Sequence, residues 1–275
     1  MLDVLQYQFM QNALIAGILA SVACGIVGTY VVVKRIVFIA GGISHAAFGG
    51  IGLGYLLGID PLIGALAFTV ASALGMGAVH LKTRQSEDTL IGVLWALGMA
   101  LGLVFIALSP GFAPDLMSYL FGNVLTVSRS GALLVLGLDA VIVAAVLLLY
   151  KEFFAVTFDE EYAKVSGVRT TPVYLALLVM IALTVVVLIK IVGIILVIAL
   201  LTIPAAIARG MTSNLKRMMA IASLLGASFV VTGIAISYVA DLPSGATIVL
   251  VGGFAYLVSF VAAHIRDNPK RKFAA

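Results

Sequence analysis

The chain has 275 residues, of which 63% are apolar and only 10% charged, against roughly 25% charged in soluble domains. That composition excludes a water-soluble globular protein and identifies an integral membrane protein. Sixteen Lys and Arg against twelve Asp and Glu give a formal charge of +4, but these charges fall in short clusters between apolar runs and form no stripe, which excludes a nucleic-acid partner.

Stretches near the 20 apolar residues that cross a bilayer predict spans at Phe9 to Val33, Ile36 to Ile59, Leu62 to Leu81 and Thr89 to Ser109. Five more follow at Gly131 to Tyr150, Pro172 to Ile189, Ile191 to Ala208, Met218 to Val239 and Ser244 to His264. The expected fold is therefore all-α, a single transmembrane domain over residues 1–275 with about nine helices, eight to ten. Met1-Leu2-Asp3-Val4 lacks the basic start of a cleaved signal, so the first run is expected to be retained as a span. Only Lys190 separates the sixth and seventh spans, and Pro204 should break or bend the seventh. Between the fourth and fifth, Ser109 to Asp115 is punctuated by Pro and Gly, and Leu116 to Val127 is too polar for a full span. That segment reads as a short helix at the outer surface or dipping into the protein.

Cytoplasmic loops collect Lys and Arg. With nine spans threaded so that the segment near Phe158 is inside, fourteen of the sixteen basic residues face the cytoplasm and only Arg129 and Lys190 fall outside. The N-terminus is then outside and the basic tail inside.

The second span is rich in glycine. Gly50, Gly54 and Gly58 recur every four residues, and Gly41, His45 and Gly49 form a neighbouring line, a spacing that lets another helix approach closely. His45 lies amid them beside Ser44. Imidazole is a common ligand for divalent transition metals, and an ionisable group inside a membrane marks a functional candidate; the alternative is a histidine hydrogen-bonded to a neighbouring helix. Asp139 interrupts the fifth span and either faces a cation path, completing a metal site with His45, or is protonated, bonded to a helix backbone or displaced towards the outer surface. His80 and His264 fall at span ends, and Trp95 reads as packing. Cys24, the single cysteine, lies within an apolar run and leaves neither a disulfide framework nor a thiolate cluster. In the seventh span Gly193 and Pro204 read either as helix packing with a kink or as a path-lining segment with freed carbonyls.

The charge-rich segment Phe158-Asp159-Glu160-Glu161-Tyr162-Ala163-Lys164-Val165-Ser166-Gly167 reads as a short cytoplasmic surface helix. Its acids suit the positive end of the helix dipole, and Gly167 can end it in a left-handed cap. A channel has no need of such a feature, whereas a pump driven by a soluble motor does. There is no Gly-x-x-x-x-Gly-Lys-Ser/Thr phosphate loop, no His-Glu-x-x-His pair and no Gly-x-Ser-x-Gly elbow, so the chain reads as a non-enzyme.

Val32-Val33-Lys34-Arg35 leads into Gly42-Ile43-Ser44-His45-Ala46, and the Phe158 to Gly167 segment, Lys190 to Ala208 and Asp241-Leu242-Pro243-Ser244-Gly245 follow in order. Together they make the chain resemble, over nearly its whole length, the ABC-3 family, the permeases of ABC importers for zinc and manganese. The resemblance implies a multi-pass protein of a prokaryotic cell membrane, working as a homodimer above two cytoplasmic ATPase subunits and receiving a divalent metal from an extracytoplasmic binding protein. Zinc or manganese is the implied substrate, with iron a third candidate. ATP would be bound by the partner ATPase, and no cofactor by this chain. Phe158, Asp159, Glu160, Glu161, Ala163 and Gly167 match the coupling helix that docks on the ATPase. Many members carry an Asp four residues before the histidine of the second span; here that position is Gly41, and no acid replaces it nearby. Gly41, Ser44, Gly49, Gly193 and Pro204 are expected to line the path or pack helices. The rival reading is a secondary metal transporter or channel independent of ATP.

Overall fold

In a computed structural model, residues 6–83, 87–110, 122 and 124–267 are described. They form α1 (Gln8–Val33), α2 (Val37–Leu57), α3 (Pro61–Lys82), α4 (Glu87–Leu108), a 3₁₀ turn (Val124–Thr126), α5 (Arg129–Leu148), α6 (Tyr150–Phe158), α7 (Glu160–Val165), α8 (Thr170–Val192), α9 (Ile194–Met211), α10 (Leu215–Ala240) and α11 (Ser244–Asp267). Nine of these, all but α6, α7 and the 3₁₀ turn, are long and apolar enough to span a bilayer, in the places the hydropathy predicts. The short helix expected between Leu116 and Val127 falls mostly outside the described residues.

The breaks between helices follow from local chemistry. Arg35 takes a left-handed φ of 63° between α1 and α2, and Ile36 donates its amide to the Val31 carbonyl at 3.0 Å, closing the end of α1. Gly58 ends α2 in the left-handed conformation. Asp60 then caps α3 by accepting the Leu62 amide at 2.8 Å, with Pro61 in the first turn.

Two expectations in the sixth and seventh spans need correction. Lys190 does not divide them, because it lies inside α8; the divider is Gly193, whose φ of 81° and ψ of 161° a side-chain-bearing residue rarely adopts. Of the break or bend expected at Pro204, the break does not occur, since α9 runs on to Met211. The proline removes only the amide that would have bonded the Leu200 carbonyl, and surrounding helices stabilise the helix through that loss.

In a bilayer, apolar surface alone does not drive helices together, so close approach and satisfied polar groups carry the packing. α1 and α2 are the most buried of the spans. A Cβ on Gly28 of α1 would strike the Leu201 backbone of α9, and one on Gly25 would strike the Ser223 backbone of α10. Four buried hydroxyls are spent inside their own helices: Ser21, Thr29, Ser44 and Thr184 donate to the carbonyls of Gly17, Gly25, Ala40 and Met180 at 2.7–2.8 Å. At the other extreme, only 11% of the apolar window of α11 is buried inside the chain, and Leu250, Phe254, Leu257 and Phe260 point outward as lipid-facing surface.

Candidate transport path and cytoplasmic contact helix

The glycines of α2 serve two seams. Towards α3, a Cβ on Gly50 would lie 2.6 Å from the Ala65 Cα, and one on Gly54 would lie 2.7 Å from the Pro61 Cα. Towards α4, Gly52 abuts the Gly102 backbone and Gly49 lies beside the Gly98 carbonyl and the Phe68 ring. Gly49 is therefore a packing residue. Gly41 is different: an added Cβ would meet only the Trp95 ring edge, at 3.9 Å.

His45 sits on the α4 side of α2, its ring stacked on that of Trp95 with centroids 4.1 Å apart and planes 14° from parallel. Trp95, expected only to pack, holds the one motif-matched imidazole in place. The His45 Nδ1 is buried and has no hydrogen-bond partner among the described residues, so the alternative of a histidine bonded through Nδ1 to a neighbouring helix is not what the structure places there. Trp95 also borders an open depression of about 550 Å³ with Phe38, Ile91 and Gly92. Gly41, buried, and His45, half-buried, thus lie on the face of α2 that meets Trp95, and Trp95 carries that face to the open depression. Ser44 is fully buried and donates its hydroxyl to the Ala40 carbonyl one turn back in its own helix.

Asp139 is 6% exposed and lies on α5 beside Ala23 of α1. Neither carboxylate oxygen reaches hydrogen-bond geometry among the described residues. α5 packs on α1 and α8, whereas α2 packs chiefly on α3, α4 and α8. His45 and Asp139 serve different interfaces, and no group of three or more His, Cys, Asp or Glu among the described residues is placed to hold a metal.

The acidic segment folds as two pieces. Phe158 ends α6, Asp159 is extended with φ of −151°, and its carboxylate accepts the Tyr162 amide at 2.8 Å to start α7. Gly167 follows α7 with φ of 87°, the left-handed conformation read from the sequence. Glu160 pairs with Lys34 at 2.9 Å, and the same ammonium donates to the Val156 carbonyl at 3.0 Å and lies 5.1 Å from the Tyr174 ring centroid. Lys34 thus ties the α1–α2 joint to α6, α7 and α8. Nearby, Arg209 of α9 donates to the Val32 carbonyl at 2.9 Å. Ala163 is fully buried, while Phe158, Glu161, Tyr162 and Val165 are exposed, the last two at 69% and 88%. Asp159, Glu160, Ala163 and Gly167 therefore shape and anchor the helix, and Phe158, Glu161, Tyr162 and Val165 form its outward surface. The spacing of Tyr162 and Val165, three residues apart on α7, is the signal for that apolar face, with Phe158 adding to it from the end of α6, and reading the acids alone misses it.

The profile of the ABC 3 transport family matches residues 6–263. An uncharacterised membrane protein of Synechocystis is 52% identical over 94% of this chain and 92% of its own length. The manganese transport system membrane protein MntC of Listeria monocytogenes is 35% identical, again over 94% of this chain and 92% of that protein. Among solved structures, PsaBC from Streptococcus pneumoniae in complex with Fab superposes with a TM-score of 0.85 at 31% identity, covering 99% of this chain and 96% of that one.

Proposed function

The chain belongs to the ABC 3 transport family, and from that premise we infer that it is the membrane-spanning permease of an ATP-driven importer for a divalent transition metal. Manganese is the first candidate, because a relative over nearly the full length is named for it, and zinc is the second. The observation that carries the reading is the exposed face of α7, Glu161, Tyr162 and Val165, on a helix too short to stand alone and held by a cap and the Lys34–Glu160 pair. Exposed Phe158, Tyr162 and Val165 beside charged residues suit a protein partner, and the partner inferred is a cytoplasmic ATPase, one under each permease of a homodimer. An extracytoplasmic binding protein would deliver the metal at the opposite side.

The derived mechanism uses this chain's own connections. ATP-driven closure of the ATPase pair would displace α7, and Lys34 would pass that displacement to the joint at Arg35 from which α2 begins. His45 rides on α2, so access to its imidazole would alternate as α2 moves against α4. Such a cycle requires contacts that differ between the two states. One imidazole without a carboxylate suits transient handling of the substrate ion rather than retention.

The test is manganese and zinc uptake into vesicles holding the chain with its ATPase, comparing wild type with Tyr162→Ala plus Val165→Asp, and separately with His45→Ala. The double substitution is expected to abolish ATP-driven uptake and co-purification of the ATPase while insertion persists. His45→Ala is expected to leave the complex intact and lower uptake at least about tenfold, ~1.4 kcal/mol. Uptake that continues without ATP would establish a secondary transporter instead.

A further inference from the structure

The side of the molecule formed by α1, α5 and α10 contains a groove lined by none of the residues that the proposed transport cycle employs. α5 and α10 each pack on α1, and the open trough between them has a volume of about 330 Å³, with Ile26 on its floor, Val143 and Leu147 on one wall and Met219 on the other. Its floor is fixed, because Gly25 lets α1 approach the Ser223 backbone of α10 too closely for any side chain. At one end stand Tyr150 and Lys216. The Lys216 ammonium lies 4.7 Å from the Tyr150 ring centroid, and the ion pair of the described residues, Lys34 with Glu160, brings it no carboxylate. Lys216 is the second residue of α10, so the positive end of that helix adds to its charge.

An apolar trough along three spans, closed at its polar end by a cation, matches an amphiphile with long chains and an anionic head. We propose that this groove binds an anionic phospholipid, with an acyl chain between α5 and α10 and the phosphate on Lys216. Basic residues between helices at the cytoplasmic end of a membrane protein favour such headgroups, and Tyr150 supplies the interfacial ring that seats at headgroup level. A second copy of this chain fits the groove less well, because Lys216, with no carboxylate partner among the described residues, calls for an anion and the trough for flexible hydrocarbon.

The experiment is native mass spectrometry of the full chain extracted in mild detergent with its accompanying subunits, titrated with phosphatidylglycerol or with phosphatidylcholine of the same acyl chains. Wild type is expected to prefer phosphatidylglycerol about fivefold, the increment of one interfacial lysine. Lys216→Gln removes the preference, Lys216→Arg keeps it, and Ala220→Trp, which fills the trough, lowers the occupancy of both lipids. Soluble glycerol phosphate does not compete. The proposal is overturned by a preference that survives Lys216→Gln, by occupancy unchanged in Ala220→Trp, by full competition from glycerol phosphate, or by dissociation of a homodimer in Ala220→Trp, which would make the groove a subunit interface.

Discussion

A carboxylate at position 41 would sit one helical turn before His45, and the described residues leave room for its Cβ: beyond the Trp95 ring edge at 3.9 Å, none of them approaches a Cβ built there. The other α2 glycines facing α4, Gly42, Gly49 and Gly52, have no such space. Gly41→Asp is therefore expected to insert normally and to bind manganese at least about tenfold more tightly, ~1.4 kcal/mol, while uptake slows because release becomes limiting. Metal content of the purified transporter and initial uptake rate check both halves. A Gly41→Asp variant that binds no more metal than wild type would show that this position does not face the substrate's path.

At the scale of helices, two substitutions in α3 separate glycine as contact from glycine as filler. Gly64 faces α2, where a Cβ would lie 2.9 Å from the Gly54 nitrogen and 3.0 Å from its Cα; Gly75 has nothing within 4 Å. Gly64→Ala is expected to lower stability by about 1–3 kcal/mol through overpacking. Gly75→Ala should be neutral or stabilising by up to ~1 kcal/mol from helix propensity. Unfolding midpoints in detergent decide between them.

The Lys34–Glu160 pair links elements far apart in the chain, and its proposed role is transmission. Lys34→Glu is expected to cut uptake more than about tenfold, ~1.4 kcal/mol, while ATP hydrolysis by the assembled complex continues. Adding Glu160→Lys should restore part of the uptake. Rescue stays incomplete because the swap does not replace the hydrogen bond to Val156 or the contact with Tyr174. Equal loss of uptake and hydrolysis in both variants would reduce the pair to a structural tie.

Over the whole molecule, much of the fold was legible because the bilayer imposes a length and a hydropathy on each span, and nine such helices stand where the apolar runs lie. Boundaries set by one backbone conformation were not: a left-handed Arg35 leaves no pattern in composition, and the lone charge of Lys190 drew attention from Gly193 three residues on. The candidate site was half legible. His45 announced itself as an ionisable group in a span, but its stacking on Trp95 joins helices whose pairing no periodicity reveals. Asp139 announced itself in the same way and faces another interface. Orientation rests on the distribution of Lys and Arg and is open to direct measurement, since Cys24 is fully buried and leaves the native chain inert to a membrane-impermeant maleimide. Ser166 beside α7 and Leu242 between α10 and α11 are both exposed, and they lie on opposite sides if α7 is cytoplasmic and α8, α9 and α10 each cross the bilayer. Leu242→Cys is therefore expected to label in intact cells, and Ser166→Cys only after the membrane is opened. The reverse pattern would place α7 outside, where no cytoplasmic ATPase could reach it.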